Sequence, residues 1–434
     1  MMSKSKFTGL VLSLALLAGS GGVFASHQAE YDRITNDMTD LRELELIEPL
    51  DITVQTRDDL RQYLVDSIEA GAEADNTDER ILVLFGLIKP GVDMEQLQID
   101  LLGEQVAGYY DPETKEMVVV TTGNGSEDAM SVSDEVTFAH ETVHALQDQH
   151  FDLVSIQSGQ ASESGDRSLA VTALIEGDAT IAQVQYILKY PALLGGLQDE
   201  LAELDSTQLD SAPPYIQGTL LFPYEAGADF VLVLFNEGGW DLVDQAFANL
   251  PQSTEQILHP EKYIDGEAPI SVSVNDPLPA LGGDWEILDV DTFGEYRMQL
   301  FLDTGEVRPE SALDAASGWG GDQVVVAGTD DELAMVWSTE WDTAEDAQEF
   351  FTILRTHEVK RFSGEESPDS TDTTFRFSSD EFAGEIRMDG TNVTYVLAPD
   401  EAMVSDLFAN QEGQGTPAVL PDASPAATPV NANR

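Results

Sequence analysis

The chain has 434 residues, with 81 Asp+Glu against 20 Lys+Arg, a formal net charge of −61 and no cysteine. That charge excludes recognition of a nucleic-acid backbone, because no basic patch exists to release counterions. The lack of cysteine excludes disulfides, thiol nucleophiles and cysteine-ligated zinc, leaving histidine and carboxylate as the strong metal ligands. The 42% of hydrophobic residues can fill real cores, and the length allows two or three domains. A surface so rich in carboxylates suits very high salt, where a Debye length of about 3 Å screens self-repulsion. Calcium or salt cations are the partners such a surface would attract.

Residues 1–25 read as an export signal. Lys4 and Lys6 precede an apolar run from Leu10 to Ala18, and Val23 and Ala25 supply small residues before a cleavage point. The run falls short of the roughly 20 residues that a membrane span needs. No other segment reads as a span, so the chain is expected to be secreted or extracytoplasmic. Residues 26–100 read mostly as helix, as a pro-segment or as part of the main fold, with a helix start at Thr56-Arg-Asp-Asp59. Val106 to Thr122 reads as a hairpin turning at Asp111-Pro-Glu-Thr-Lys115. Helices are expected over 133–150, 168–190, 223–236 and 240–249. Beyond Pro279 the pattern changes to strands at 323–327, 333–341, 374–377 and 393–397, with a helix over 343–357. This reads as a separate α+β domain at 280–410, followed by a flexible Pro/Ala-rich tail at 411–434.

The chemistry concentrates in His140-Glu141-Thr142-Val143-His144. On a helix His140 and His144 project about 40° apart from adjacent turns, so both imidazoles can reach one metal ion. Glu141 emerges beside them, placed to act on a water molecule. Only six histidines occur in the chain, which makes this spacing informative. A catalytic zinc site needs a third protein ligand. His150 sits where some H-E-x-x-H proteins carry a third histidine, but Gln147 fills the position of the glycine that turns those chains away. If the helix continues, His150 lies about 9 Å along the axis and about 120° off His144. Glu176 fits better: it lies 32 residues after His144, on the flank of an apolar stripe formed by Ala170, Ala173, Leu174, Gly177 and Ile181. A partly buried carboxylate there needs a partner, and a metal supplies one. Asp178 is the next choice, as a ligand or as an acceptor orienting a ligand imidazole. Gly177 costs a helix about 1 kcal/mol relative to alanine, which predicts close approach of another backbone.

His140–His144 followed by a helix carrying Glu176 resembles the gluzincin class of zinc metallopeptidases. More narrowly, Ala139-His-Glu-Thr-Val-His-Ala-Leu-Gln-Asp-Gln-His150 with Glu176-Gly-Asp-Ala179 is similar to a group of exported prokaryotic zincin-like proteins. Ala107-Gly-Tyr-Tyr-Asp-Pro112 and Ser253-Thr-Glu-Gln-Ile-Leu-His-Pro-Glu-Lys-Tyr263 extend the likeness over roughly residues 40–265. The resemblance implies a fold of class α+β: a mainly helical zincin-like domain at 101–275 with a small edge sheet, then the smaller α+β domain. It implies one Zn²⁺ per chain held by His140, His144 and Glu176, with Glu141 as general base on a peptide or protein substrate. It also implies that Met117–Thr122 is an edge strand, so that Val118, Val119 and Val120 would bind an extended peptide by β-addition. His259 and Tyr263 are the expected donors to the oxyanion, with Tyr109 and Tyr110 behind them. Two other readings use the same residues: a hydrolase of non-peptide amides, and a non-enzymatic zinc-bearing extracellular protein that is structural or partner-binding.

Overall fold

A computed structural model describes residues 24–62, 65, 76–105, 108–121, 130–160, 164–201, 207–304, 308–362, 365–413 and 415–420. The expected export signal up to residue 23 and the tail from 421 lie outside the described residues. The architecture is α+β, and the chain divides into two units. The first comprises the described residues up to Pro269 together with Gly294–Thr304; the second takes Ile270–Phe293 and the described residues from 308 onward.

The first unit is built on helices α1 (Phe24–Arg42), α2 (Val132–Phe151), α3 (Gly165–Lys189), α4 (Pro214–Ala248), α5 (Thr254–Leu258) and α6 (Gly294–Asp303). Its sheet holds β1 (Asp51–Thr56), β2 (Gly108–Asp111) and β3 (Glu116–Thr121) in the order β1-β3-β2. β2 and β3 form the expected hairpin, while β1 pairs parallel to β3. Sequence patterning misses β1 inside a region expected to be helical, because six residues of Asp51-Ile-Thr-Val-Gln-Thr56 are too few to show an unambiguous period. The helix start at Thr56 is present: Asp59 Oδ2 accepts from Thr56 N at 3.0 Å and Thr56 Oγ1 accepts from Asp59 N at 3.1 Å.

α2 begins where its sequence directs. Ser131 caps it by accepting from Asp134 N at 3.0 Å, and Asp134 and Glu135 sit in the first turn, where they complement the helix dipole. α3 is capped in the same way by Ser164. The expected helices 223–236 and 240–249 belong to the single run α4, which breaks at Gly239 with φ +65° and ψ −163°. The α3–α4 crossing is the tightest in this unit. A Cβ on Gly177 would lie 2.2 Å from Gly227 O, and one on Gly227 would lie 2.2 Å from Ala173 O. Two glycines therefore let the helices touch backbone to backbone, as the energetic cost of Gly177 predicts. α4 is also long and apolar enough to cross a membrane by length and composition, a property the sequence reading does not assign to it. Here its Phe230, Val231 and Leu234 are buried in the core shared with α2 and α3.

The second unit carries seven antiparallel strands: β4 (Glu286–Asp291), β5 (Trp319–Gly328), β6 (Leu333–Trp341), β7 (Glu365–Glu366), β8 (Thr374–Ser378), β9 (Ala383–Asp389) and β10 (Asn392–Ala398). Their order is β4-β5-β6-β10-β9-β8-β7. Helices α7 (Ala344–Phe362) and α8 (Glu401–Glu412) pack on it. Along β6 the faces alternate with period two. Trp337 and Trp341 meet Phe350 of α7, while Ala334 and Val336 join Val404, Leu407 and Phe408 of α8. Covering both faces explains why Val324–Ala327 of β5 and Leu333–Trp337 of β6 read as unbroken apolar runs. The stretch expected to open a flexible tail is held in place: Ala418 N donates to Val274 O at 2.9 Å and Asp276 N to Thr416 O at 2.8 Å.

Candidate metal centre

His140 and His144 stand one turn apart on α2, with their rings edge to face and centroids 4.8 Å apart. Glu176 reaches them from α3. Glu176 Oε2 lies 3.1 Å from His140 Nε2 and 3.3 Å from His144 Nε2, and the two Nε2 atoms are 3.2 Å apart. These three atoms form a nearly equilateral triangle. Zinc bonds of about 2.0–2.1 Å in a tetrahedral site imply ligand–ligand edges of about 3.3–3.4 Å, so the donor set fits the ion in both size and chemistry. Glu141 stands beside the triangle, with a carboxylate oxygen within 4.8 Å of the imidazole nitrogens. Its Oε2 accepts from the backbone N–H of Tyr110 at 3.0 Å, which fixes the carboxylate against β2. Gly108 permits that approach: a Cβ there would lie 3.0 Å from Val118 O and 3.2 Å from Thr137 Cγ2 of α2.

The electrostatics follow from burial and mutual charge. Burial pulls the His144 imidazole down, but the Glu176 carboxylate outweighs it and lifts the group to about 10. Burial works against the charge of Glu176, yet the two imidazoles hold it well below the ordinary carboxylate range. Glu141 goes the other way: burial raises it, the histidines oppose, and the neighbouring Glu176 adds to the rise. Two carboxylates side by side thus differ in proton affinity, one suited to hold a cation and the other to take up a proton.

Two side chains outside the expected set, Tyr224 and Gln147, complete the surroundings together with the expected Asp178. Tyr224 of α4 sets its ring 6.1 Å from that of His140 and lies close enough to Glu176 and Glu141 to feel their charge. Burial of the phenol, then the charges of Glu176 and Glu141, keep it protonated as a donor, although 42% of the residue remains exposed. It stands three residues before Gly227, so the glycine-lined crossing of α3 and α4 brings it to Glu176. Gln147, one turn beyond His144, offers Oε1 to His144 Nδ1 at 2.8 Å. Asp178 is fully buried and meets no imidazole directly; its Oδ2 accepts from Gln147 Nε2 at 2.8 Å. A glutamine in the third slot after His144 is the one local signal of this bridge.

The remaining expectations need correction. β3 is the central strand, paired with β1 on one side and β2 on the other. Val118 and Val119 are buried with both ladders occupied, and Val120 is buried and paired with Gln55 of β1, so this strand is not an open edge for an added peptide. β2 is the outer strand on the side of Glu141. His259 bonds Glu295 Oε1 through Nε2 at 3.1 Å, and Tyr263 donates its hydroxyl to Asn249 O at 2.8 Å. Neither contacts the triangle among the described residues. The motif around them is a structural knot: Thr254 N donates to Asp166 Oδ1 at 3.2 Å, and Tyr296 N to Thr254 Oγ1 at 3.2 Å, joining α3, α5 and α6. Tyr109 is buried, and Tyr110 gives its hydroxyl to Asp148 Oδ2 at 2.9 Å. His150 bonds the carbonyl of Glu45 at 2.8 Å near the end of the continuing helix, away from the ligand face.

One family matches the chain, a domain of unknown function (DUF8575), over residues 286–407. No curated protein and no solved structure matches it.

Proposed function

We propose that the chain is an exported zinc metallopeptidase of the gluzincin type, a zincin-like hydrolase of peptide bonds. The observation that carries this reading is the triangle of 3.1, 3.2 and 3.3 Å between His140 Nε2, His144 Nε2 and Glu176 Oε2. Those three side chains would hold Zn²⁺. When bound, the ion polarises the scissile carbonyl and lowers the pKa of water to about 7. Glu141, with its raised proton affinity and its carboxylate held by Tyr110 N–H, takes the proton of the attacking water and returns it to the leaving amine. Tyr224 replaces His259 and Tyr263 as the donor nearest the reacting carbonyl, a role worth about 3–4 kcal/mol where such donors are removed. Export rests on the amino-terminal segment, and a saline medium on the net charge of −61.

The test compares wild type with Glu141→Gln for zinc content and for cleavage of casein or a quenched peptide in high salt. One zinc per chain in both, with cleavage falling by about 10²–10⁴-fold in the variant, supports the reading. Zinc without cleavage in either favours a structural or non-peptidase role. Folded wild-type protein that takes up no zinc overturns it.

A further inference from the structure

Arg42, in the last turn of α1, is fully buried, with its guanidinium 4.3 Å over the ring of Trp240. Its Nε donates to Asp178 Oδ1 at 2.6 Å and its Nη2 to Asp244 Oδ1 at 2.6 Å. Removing a guanidinium from water costs several kcal/mol, offset only when carboxylates are held in good geometry. The other oxygen of Asp178 accepts from Gln147 Nε2 at 2.8 Å, and Ile175 O accepts from the same nitrogen at 3.0 Å. Both neighbours of that nitrogen are acceptors only, so the amide has one orientation and Oε1 must face His144 Nδ1, 2.8 Å away. An amide oxygen can only accept. Nδ1 of His144 therefore keeps its proton, and when a metal ion displaces the proton of Nε2 it is the Nε2 lone pair that points into the triangle.

We infer that Arg42 is a positioning residue of the metal site: acting through Asp178 and Gln147, it fixes the tautomer and ring orientation of His144. This rests on the metal-site reading above. It makes α1 a working part of the site and not a removable pro-segment. A second arginine of α1 supplies the control. Arg33 anchors the same helix through Glu135 Oε1 at 2.7 Å and Tyr186 Oη at 2.8 Å, without touching Asp178 or Gln147.

The experiment measures zinc affinity by chelator competition and the visible spectrum of the cobalt(II)-loaded protein. Wild type is compared with Arg42→Met, Gln147→Leu, the double variant and Arg33→Gln, with circular dichroism and melting as checks of folding. Arg42→Met and Gln147→Leu are each expected to weaken zinc binding by about 10–100-fold and to alter the cobalt bands. The double variant should bind no more weakly than Gln147→Leu alone, because both act on one link. Arg33→Gln should lower the melting temperature and leave affinity and spectrum unchanged. If Arg42→Met fails to fold, Arg42→Lys takes its place, since an ammonium keeps the charge but loses the fork that holds both carboxylates. Unchanged affinity and spectrum in a folded Arg42 variant, or additive losses in the double variant, overturn the inference while leaving the metal site standing. Wild type without affinity for zinc or cobalt sinks the site and the inference together.

Discussion

Each unit buries a histidine against a glutamate, and the two clusters are built to opposite ends. In the second unit Glu358 Oε1 meets His357 Nδ1 at 2.8 Å, its Oε2 accepts from Tyr395 O–H at 2.8 Å, and Arg361 Nη1 lies 3.3 Å from both oxygens. Its carboxylate is closed on every side by donors within one packed core. In the first unit the glutamate oxygen and two ring nitrogens converge on one point, with Gln147 holding the far side of one imidazole. A buried His–Glu pair is therefore not in itself a site. What separates the two is whether the carboxylate is surrounded by packed donors or shares one point with two imidazole nitrogens spaced as metal ligands.

Three measurements press on that contrast, beyond the substitutions proposed above. The largest effect is expected from Glu358→Gln. Burial opposes the charge of Glu358, but Arg361, His357 and Tyr395 hold its proton affinity below the ordinary carboxylate value of 4.5. Its stabilisation is thus present above about pH 4.5 and lost as pH falls through the depressed folded value. Breaking the pair should cost about 3–5 kcal/mol at neutral pH in denaturant unfolding, with zinc uptake unchanged. Loss of zinc uptake in that variant would dissolve the distinction between the clusters.

A smaller effect is expected from Gly177→Ala. The added methyl meets Gly227 O at 2.2 Å and must push α3 from α4. Melting should report about 1–3 kcal/mol of destabilisation. Peptide cleavage should fall more than zinc affinity, because Tyr224 and Glu176 both shift while His140 and His144, two of the three ligands, stay on α2. Weaker zinc binding with unchanged cleavage by the zinc-loaded protein would place Tyr224 outside the chemistry.

The smallest effect concerns a third pair, His259 with Glu295, where one imidazole is about a third exposed. The hydrogen bond to Glu295, against opposing burial, raises His259 above 6.5. Its contribution is complete below pH 6.5 and fades as pH rises through the raised folded value. His259→Gln should flatten that slope by well under about 1 kcal/mol in pH-dependent melting and leave cleavage intact. A large fall in kcat would return His259 to the site.

Much of the centre is legible in local sequence. The spacing of His140 and His144 fixes their common face once the segment is a helix, and the capping of Ser131 and the acids of the first turn make it one. Glu176 is legible as a carboxylate on the flank of an apolar stripe, and Gly177 as the mark of a close crossing. The hairpin at Asp111–Lys115 is legible from turn chemistry, but its place in the sheet is not. Nothing in Asp51–Thr56 declares that it will pair with β3 and turn the expected edge strand into a central one.

Tyr224, Gln147, Arg42 and the demotion of His259 and Tyr263 were decided only by tertiary packing. Periodicity and capping report which residues share a face of one element, because they depend on neighbours within a turn or two. The partners that Arg42 meets lie 136 and 202 positions further along the chain, at Asp178 and Asp244, and are chosen by how helices and strands fill space together. The sequence alone determined a helix that presents two histidines on one face and the acid that faces them. The tertiary structure decided which groups hold those side chains in place.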